Sequence, residues 1–452
     1  MNLNGKKVLV VGMARSGLAA AGLLKHRRAV VTIYDGKNNE ELATEIKSLP
    51  AGTEIVLGDY QTLLRREFDL VVASPGVPLG MPLLAHMIAQ GVPVVSEIEL
   101  AYWVKSPGLH FLAITGTNGK TTTTALVADI VHQAGIRSVA AGNIGLPLSQ
   151  VVEEMETGMV AVECSSFQLE TIKDFHPLCS GILNITPDHL DRHLTMENYA
   201  AIKSRIYANQ DTHEFTILNL EDPWIRGFRP GCRVGYFSTA RVLEEGIWVE
   251  EGKIRVSLGG KTESVCRVSE VKLRGKHNLE NVLCAVGITR AAGIGVEAIR
   301  HSLMTFAGVR HRLQEVGKVG GVLYVNDSKG TNPDSTIKAL ESFTEPIVLI
   351  AGGRNKGSDF RQLAKIIARK VKALVLLGEA RSIIRQTVEE TGFNNIVEVD
   401  SIQDAVLVAR DLAQPGEVVL LSPACASWDM FKDYEERGDL FCEVVSSLGE
   451  GV

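Results

Sequence analysis

Nine consecutive residues, Ile114-Thr115-Gly116-Thr117-Asn118-Gly119-Lys120-Thr121-Thr122, constrain this chain more than any other stretch. They follow an apolar run at 111–114 and precede a helical pattern over 125–135. A strand that turns through glycines into a helix N-terminus makes a phosphate cradle, because backbone N–H groups and the positive end of the helix dipole face the anion. Lys120 adds a point charge and Thr121 a hydroxyl that can reach a metal ion, so Gly116, Thr117, Asn118, Gly119, Lys120, Thr121 and Thr122 are the candidate contacts of ATP. The spacing departs from Gly-x4-Gly-Lys-Ser/Thr, since position 114 is Ile rather than Gly. The plainer alternative is a Gly/Asn turn before a helix.

Strand and helix patterns alternate on either side of this loop. Apolar runs at 8–11, 30–34, 70–73 and 92–95 read as strands, and 18–25 reads as a helix. Such βαβ alternation implies a parallel sheet with ligands at the carboxyl ends of its strands. Beyond the loop, runs at 160–162, 181–185 and 215–218 read as strands, 234–271 as antiparallel hairpins, and 278–292 and 296–306 as helices. A third stretch returns to strands at 323–325, 347–350, 373–377, 396–399 and 418–421, separated by helices at 360–369, 380–390 and 401–413. The expected architecture is α/β, three domains in series: a Rossmann-like N-terminal domain at 1–98, a central P-loop-type ATPase domain with a mainly parallel sheet at 99–308, and a Rossmann-like C-terminal domain at 309–452.

A chain of 452 residues is too long for one core, and 45% hydrophobic residues suffice to pack several. The net charge of −6 argues against a nucleic-acid partner. Seven cysteines without paired spacing fit a reducing cytoplasm. The start lacks a signal-peptide core, and no apolar run reaches the roughly 20 residues that span a bilayer. The expectation is a cytoplasmic protein with no membrane insertion.

Chemistry concentrates at strand ends. Gly12 and Gly17, with Asp35 closing the second strand, suit a diphosphate and a sugar hydroxyl, although Gly-x-Gly-x-x-Gly would need glycine at 14, where Ala stands. A structural βα turn explains the same residues. Glu163 ends a strand beside the phosphate loop, where a carboxylate can hold Mg²⁺ or can be merely solvated. The run Asn184-Ile185-Thr186-Pro187-Asp188-His189-Leu190-Asp191-Arg192-His193 ends another strand. Its two histidines lack the further ligands zinc would need, so hard oxygen ligands and magnesium are preferred. Lys203, from pattern alone, is a helix-surface lysine. Gly275-Lys276-His277-Asn278 opens a helix whose amides suit a purine or ribose, or simply cap it. His311-Arg312, Asn326-Asp327-Ser328-Lys329-Gly330-Thr331-Asn332 and Gly352-Gly353-Arg354-Asn355-Lys356 suggest a cleft for multiply charged ligands.

Read in order, these motifs resemble the Mur ligase family over nearly the whole chain, and among its members most resemble those that add D-glutamate. Ser74-Pro75-Gly76-Val77-Pro78, Cys164-Ser165-Ser166-Phe167-Gln168-Leu169-Glu170 and Leu421-Ser422-Pro423-Ala424-Cys425-Ala426-Ser427-Trp428-Asp429 carry the more particular likeness. Gly330, where Ala is common, and Tyr434, where Phe is familiar, depart from it. The resemblance implies ligation of D-glutamate to UDP-N-acetylmuramoyl-L-alanine (UDP-MurNAc-L-Ala) through an acyl phosphate, with release of ADP and phosphate. It implies catalytic roles for Lys120, Glu163, His189 and Lys203, and two Mg²⁺ ions near Thr121, Glu163, His189 and Lys203. It also implies CO₂ bound as a carbamate on Lys203, which replaces the surface reading of that lysine. It places the uridine nucleotide near Ala14, Arg15, Ser16, Asp35, Lys37, Ser74 and Gly76, with Asn143 near the diphosphate or sugar. Asn278, Asn281, Arg312 and Asp327 would contact ATP, and Lys329, Thr331, Lys356, Ser427, Trp428 and Tyr434 would line the D-glutamate pocket, with Ser427 at a helix start. A monomer that closes over ATP is implied as well. A sibling ligase with another amino acid is the nearest rival. A nicotinamide-dependent dehydrogenase would need glycine at 14, and a non-catalytic nucleotide-binding regulator would have no use for Glu163 and His189 together.

Overall fold

A computed structural model describes residues 1–449, and of His277 only the backbone. Three α/β sheets follow one another along the chain. The first has the spatial order Glu54–Leu57, Val30–Asp35, Lys7–Val11, Leu70–Ala73, Val94–Ser96, all parallel. Its inner strands are apolar on both faces because helices cover both sides. The order reverses beside Lys7–Val11, and the crevice at such a switch point lies above Gly12.

The second sheet has nine strands. Six of them, Ser138–Gly142, Gly158–Glu163, Leu109–Thr115, Cys179–Ile182, Phe215–Asn219 and Arg233–Ser238, run parallel in that order. Gly246–Glu250 pairs parallel with the last of these, and the hairpin strands Lys253–Ser257 and Glu263–Arg267 then add antiparallel. The third sheet runs Gln314–Val319, Val322–Asn326, Val418–Leu421, Ile347–Gly352, Val371–Leu377, Ile396–Glu398, parallel except for the first.

Two compact units contain these sheets. The first unit comprises Met1–Val271 and Leu279–Phe306, and the second Lys272–Asn278 and Ala307–Val452. Within the first unit one hydrophobic core runs on from Val8, Val10 and Ile33 through Ile98 and Leu100 to Phe111, Val160 and Phe175. The third sheet buries a layer on each face, around Leu349 and Leu374 on one side and Val348 and Val375 on the other. Each such side chain contributes roughly 1.5–3 kcal/mol by leaving water. Among the described residues no helix is long and apolar enough to cross a membrane.

Three strands were not anticipated from the sequence: Glu54–Leu57, Ser138–Gly142 and Gln314–Val319. The expected strand over 181–185 instead ends at Ile182, where the chain leaves the sheet to form the loop beneath the phosphate cradle.

Candidate active site

The strand Leu109–Thr115 lies centrally in the second sheet and delivers the glycine-rich turn to the helix Lys120–Gln133. Gly119 caps that helix at φ +84°, and a Cβ there would collide with the Asn281 side chain. Glycine is therefore required both by conformation and by close approach. The turn is held from below by Asn184: its Oδ1 accepts from the Asn118 N–H at 2.8 Å and its Nδ2 donates to the Asn118 carbonyl at 3.1 Å. Lys120 Nζ folds back to donate to the carbonyls of Gly116 (2.9 Å) and Thr117 (2.7 Å).

Lys203 converges on the same place. Its Nζ donates to the Gly116 carbonyl at 2.7 Å and lies 4.7 Å from the centre of the Tyr199 ring. Only 1% of the residue is exposed, so the pattern-based reading of a surface lysine is corrected: the helix Met196–Ser204 turns this position inward. Burial, reinforced by the neighbouring Lys120 charge, pushes the Lys203 pKa well below that of an ordinary lysine.

Glu163 ends the adjacent strand Gly158–Glu163 and is 1% exposed. Its Oε1 accepts from Asn143 Nδ2 at 2.7 Å, whereas its Oε2 is buried without a partner among the described residues. A lone carboxylate oxygen is costly to leave unmatched, and it is a hard donor suited to Mg²⁺. Thr121 is buried in the first turn of the helix after the loop. His189 stands in the left-handed region at φ +52°, half exposed, with its ring 4.7 Å from that of Phe167 and its backbone N–H donating to Asp188 Oδ1. Among the described residues no group of three or more His, Cys, Asp or Glu is arranged to hold a metal. Glu163 and Thr121 thus fit an ion completed by phosphate oxygens and water, the habit of Mg²⁺ rather than zinc.

Three residues given no role in the sequence analysis, Arg192, His193 and Tyr199, tie this region together. Arg192 grips Glu170 through Nε (3.1 Å) and Nη2 (2.5 Å) and donates from Nη1 to the Pro75 carbonyl at 3.1 Å. His193 contacts Ser166 Oγ at 3.0 Å, and the Tyr199 hydroxyl lies 3.3 Å from Thr117 Oγ1. Arg192 and His193 belong to the polar run 184–193, whose pattern does not resolve which members face inward, and Tyr199 lies on the helix beyond it with no such signal.

At the first sheet, Asp35 uses both oxygens on the chain itself, accepting from the N–H of Met13 (2.8 Å) and of Lys37 (3.0 Å). Ala14 caps the helix Arg15–His26, with Ala14 and Arg15 exposed and Ser16 partly so. Ser74 donates to the Gly12 carbonyl at 3.2 Å, and Gly76 is exposed on the turn beyond. Arg15 Nη1 reaches the Gly145 carbonyl at 3.3 Å, on the loop that carries Asn143.

The second unit gathers three loops at the carboxyl ends of the neighbouring strands Val322–Asn326, Val418–Leu421 and Ile347–Gly352. The Ala424 N–H donates to the Gly330 carbonyl at 2.9 Å, and Arg354 and Ala426 exchange backbone bonds at 2.9 and 3.1 Å. Lys329 Nζ lies 5.1 Å from the Tyr434 ring centre, and Lys356 Nζ 5.9 Å from that of Trp428. Ser427 is buried while Trp428 is 61% exposed. The expected helix start at Ser427 is corrected. The N–H groups of Met430 and Phe431 close a turn on the Ser427 carbonyl, and the helix begins only at Tyr434. Asp327 is buried, which raises its carboxyl to about 6 despite bonds from Ser422 Oγ (2.7 Å) and the Leu313 N–H (3.3 Å). Beside it, Arg312 Nε is buried without a partner among the described residues. Thr331 N–H donates to the Lys329 carbonyl at 2.9 Å. Asn278, in the Lys272–Asn278 segment of this unit, donates to the Arg274 carbonyl at 2.6 Å.

Three family models match the chain: the Mur ligase MurD-like N-terminal domain over residues 6–96, the Mur ligase middle domain over 114–289, and the Mur ligase glutamate ligase domain over 311–425. A UDP-N-acetylmuramoylalanine–D-glutamate ligase of Pelotomaculum thermopropionicum is 50% identical, over 99% of this chain and 98% of its own. One from Thermoanaerobacter sp. (strain X514) is 44% identical over 99% and 100%. Among solved structures, UDP-N-acetylmuramate-alanine ligase MurC from Thermotoga maritima shares the fold with a TM-score of 0.59 at 18% identity, over 98% of this chain and 99% of that one. MurF from Acinetobacter baumannii does so with a TM-score of 0.61 at 16% identity, over 98% and 93%.

Proposed function

The chain belongs to the Mur ligase family, and from that premise we propose that it uses ATP to join D-glutamate to UDP-MurNAc-L-Ala in the cytoplasmic synthesis of peptidoglycan precursors. The observation that carries this reading is the convergence of Lys120 and Lys203 on the Gly116 carbonyl, beside a Glu163 oxygen that has no partner among the described residues. Two amines and a lone carboxylate oxygen about one phosphate loop suit a reaction that brings anions together. The choice of D-glutamate is supported by the relatives above and by two lysines set against two aromatic rings in the second unit.

A carboxylate is a poor electrophile, and phosphorylation supplies the leaving group it lacks. The carboxylate of UDP-MurNAc-L-Ala attacks the γ-phosphorus of ATP, and the bond to the ADP oxygen breaks. The amine of D-glutamate then attacks the acyl carbon, phosphate departs, and the nitrogen loses its proton as the amide forms. Lys120 leaves its loop carbonyls to neutralise the β- and γ-phosphates, while the loop N–H groups orient them. Glu163 and Thr121, with His189 nearby, would hold Mg²⁺, which would supply charge neutralisation at the phosphates, and the Lys203 carbamate would serve a second ion or its water.

Lys203 serves in its neutral form. Its Nζ adds to CO₂, forming an N–C bond and shedding one proton, so the buried neutral amine becomes a carboxylate-like anion. Its depressed pKa supports this, because only the free amine is nucleophilic. Ala14, Arg15, Ser16, Asp35, Lys37, Ser74, Gly76 and Asn143 bind the UDP-sugar. Arg312, whose Nε has no partner among the described residues, and Asp327, Asn278 and Asn281 bind nucleotide groups. Lys329, Thr331, Lys356, Ser427, Trp428 and Tyr434 receive the amino acid and its two carboxylates.

Phosphate release measured against a panel of D- and L-amino acids tests the reading. We expect turnover only when UDP-MurNAc-L-Ala and D-glutamate are both present, with D-glutamine and L-glutamate poor substitutes. A site built for a charged group leaves buried donors unpaired when that group is absent. Turnover with a different amino acid would assign the chain to a sibling activity.

A further inference from the structure

Arg437 is a buried cation with no role in the chemistry above. It is 1% exposed and lies in the first turn of the helix Tyr434–Gly449. A cation there is disfavoured twice, losing its hydration and facing the positive end of the helix dipole. Burial lowers its pKa to about 10, so it stays charged near neutrality. Among the described residues its hydrogen-bond partners are oxygens of two loops rather than a carboxylate. Nε donates to Ser328 Oγ at 2.9 Å and Nη2 to the Ser328 carbonyl at 2.8 Å. Nη1 and Nη2 reach the Cys425 carbonyl at 3.4 and 3.3 Å. Ser328 Oγ in turn donates to the Tyr434 carbonyl at 2.8 Å.

The surrounding backbone is shaped to admit this guanidinium. Next to it, Gly438 lets the helix approach: a Cβ there would strike His311 Nδ1 and stand 3.0 Å from Asn326 Nδ2. Gly353, at φ +127°, leaves room as well, since its Cβ would lie 3.2 Å from Arg437 Nη1. One loop carries Lys329 and Thr331, and the other Ser427 and Trp428.

We propose that Arg437 is the positioning residue of the amino-acid pocket. Its planar fork clamps the loop 326–331 to the loop 422–429, setting Lys329 and Ser427 in register. Its charge, in no salt bridge among the described residues and only partly offset by the nearby Asp327 and Asp429, also raises the potential felt by a dicarboxylate ligand. This rests on the assignment of those loops to D-glutamate.

Steady-state KM for D-glutamate, ATP and UDP-MurNAc-L-Ala, with the thermal midpoint, should be measured for R437M, R437K, S328A and K356A. We expect R437M to raise the D-glutamate KM roughly tenfold or more, with the other two KM values within about twofold. R437K keeps the charge but cannot span both loops, so it should recover part of the loss. S328A, which removes one acceptor of the fork, should raise the same KM by a few-fold. A purely structural arginine would shift the midpoint, or all three KM values together. The proposal is overturned if the folded arginine variants keep the D-glutamate KM within twofold of wild type while K356A raises it. Should R437M fail to fold, R437K and S328A decide by the same criterion. If K356A also leaves the D-glutamate KM unchanged, the pocket assignment itself is wrong, and the role of Arg437 falls with it.

Discussion

Lys120 and Lys203 donate to the same carbonyl oxygen, yet only the first was legible as functional from its neighbours in sequence. Lys120 follows a glycine at a helix start, a local signal; Lys203 is drawn inward by packing of its helix over the loop, a tertiary fact no spacing encodes. We expect Lys120→Ala to lower ligation by roughly 10²-fold or more at saturating ATP, with an unchanged thermal midpoint, because it removes charge from the developing transition state. Near-normal turnover would overturn the phosphate-loop assignment. Lys203→Ala should be comparably impaired and partly restored by a short carboxylate such as acetate. Independently of activity, protein equilibrated with ¹³C-labelled CO₂ should show a carbamate carbon resonance that the alanine variant lacks. The same resonance in both would remove Lys203 as its site.

Elements were legible where they are buried on both faces. Runs such as Leu70–Ala73 and Val418–Leu421 stand at the expected positions because inner parallel strands are continuously apolar. The three unanticipated strands all occupy sheet edges, where half-exposed residues such as those of Glu54–Leu57 blur the pattern. The helix Glu97–Val104 carries a further consequence. Glu97 is buried and accepts from the Ser149 N–H at 2.5 Å, while its Oε2 has no partner among the described residues. Burial lifts its carboxyl to about 7, against 4.5 for an ordinary glutamate. With the folded value raised, the folded state binds more protons than the unfolded chain between these values, so the group costs stability as pH rises from 4.5 towards 7. Glu97→Gln keeps the acceptor and removes the charge. Its stability relative to wild type should therefore improve from pH 5 to pH 8, by on the order of 2 kcal/mol in denaturant titrations. A difference that is flat with pH would show that Glu97 is not ionising where it lies.

At the scale of the molecule, three successive α/β sheets were legible from alternation alone, because strand and helix periods switch at short intervals. The shared core of the first two sheets was not, nor was the excursion of Lys272–Asn278 into the second unit, since both depend on contacts distant in sequence. The proposed function brings three anionic substrates to strand ends, with ligation through an acyl phosphate as its central claim. The most direct test uses UDP-MurNAc-L-Ala labelled with ¹⁸O in the alanyl carboxylate, incubated with ATP and D-glutamate. Mass spectrometry should find one ¹⁸O transferred to the released phosphate for each D-glutamyl amide formed. Unlabelled phosphate, or phosphate released without amide product, would contradict the account.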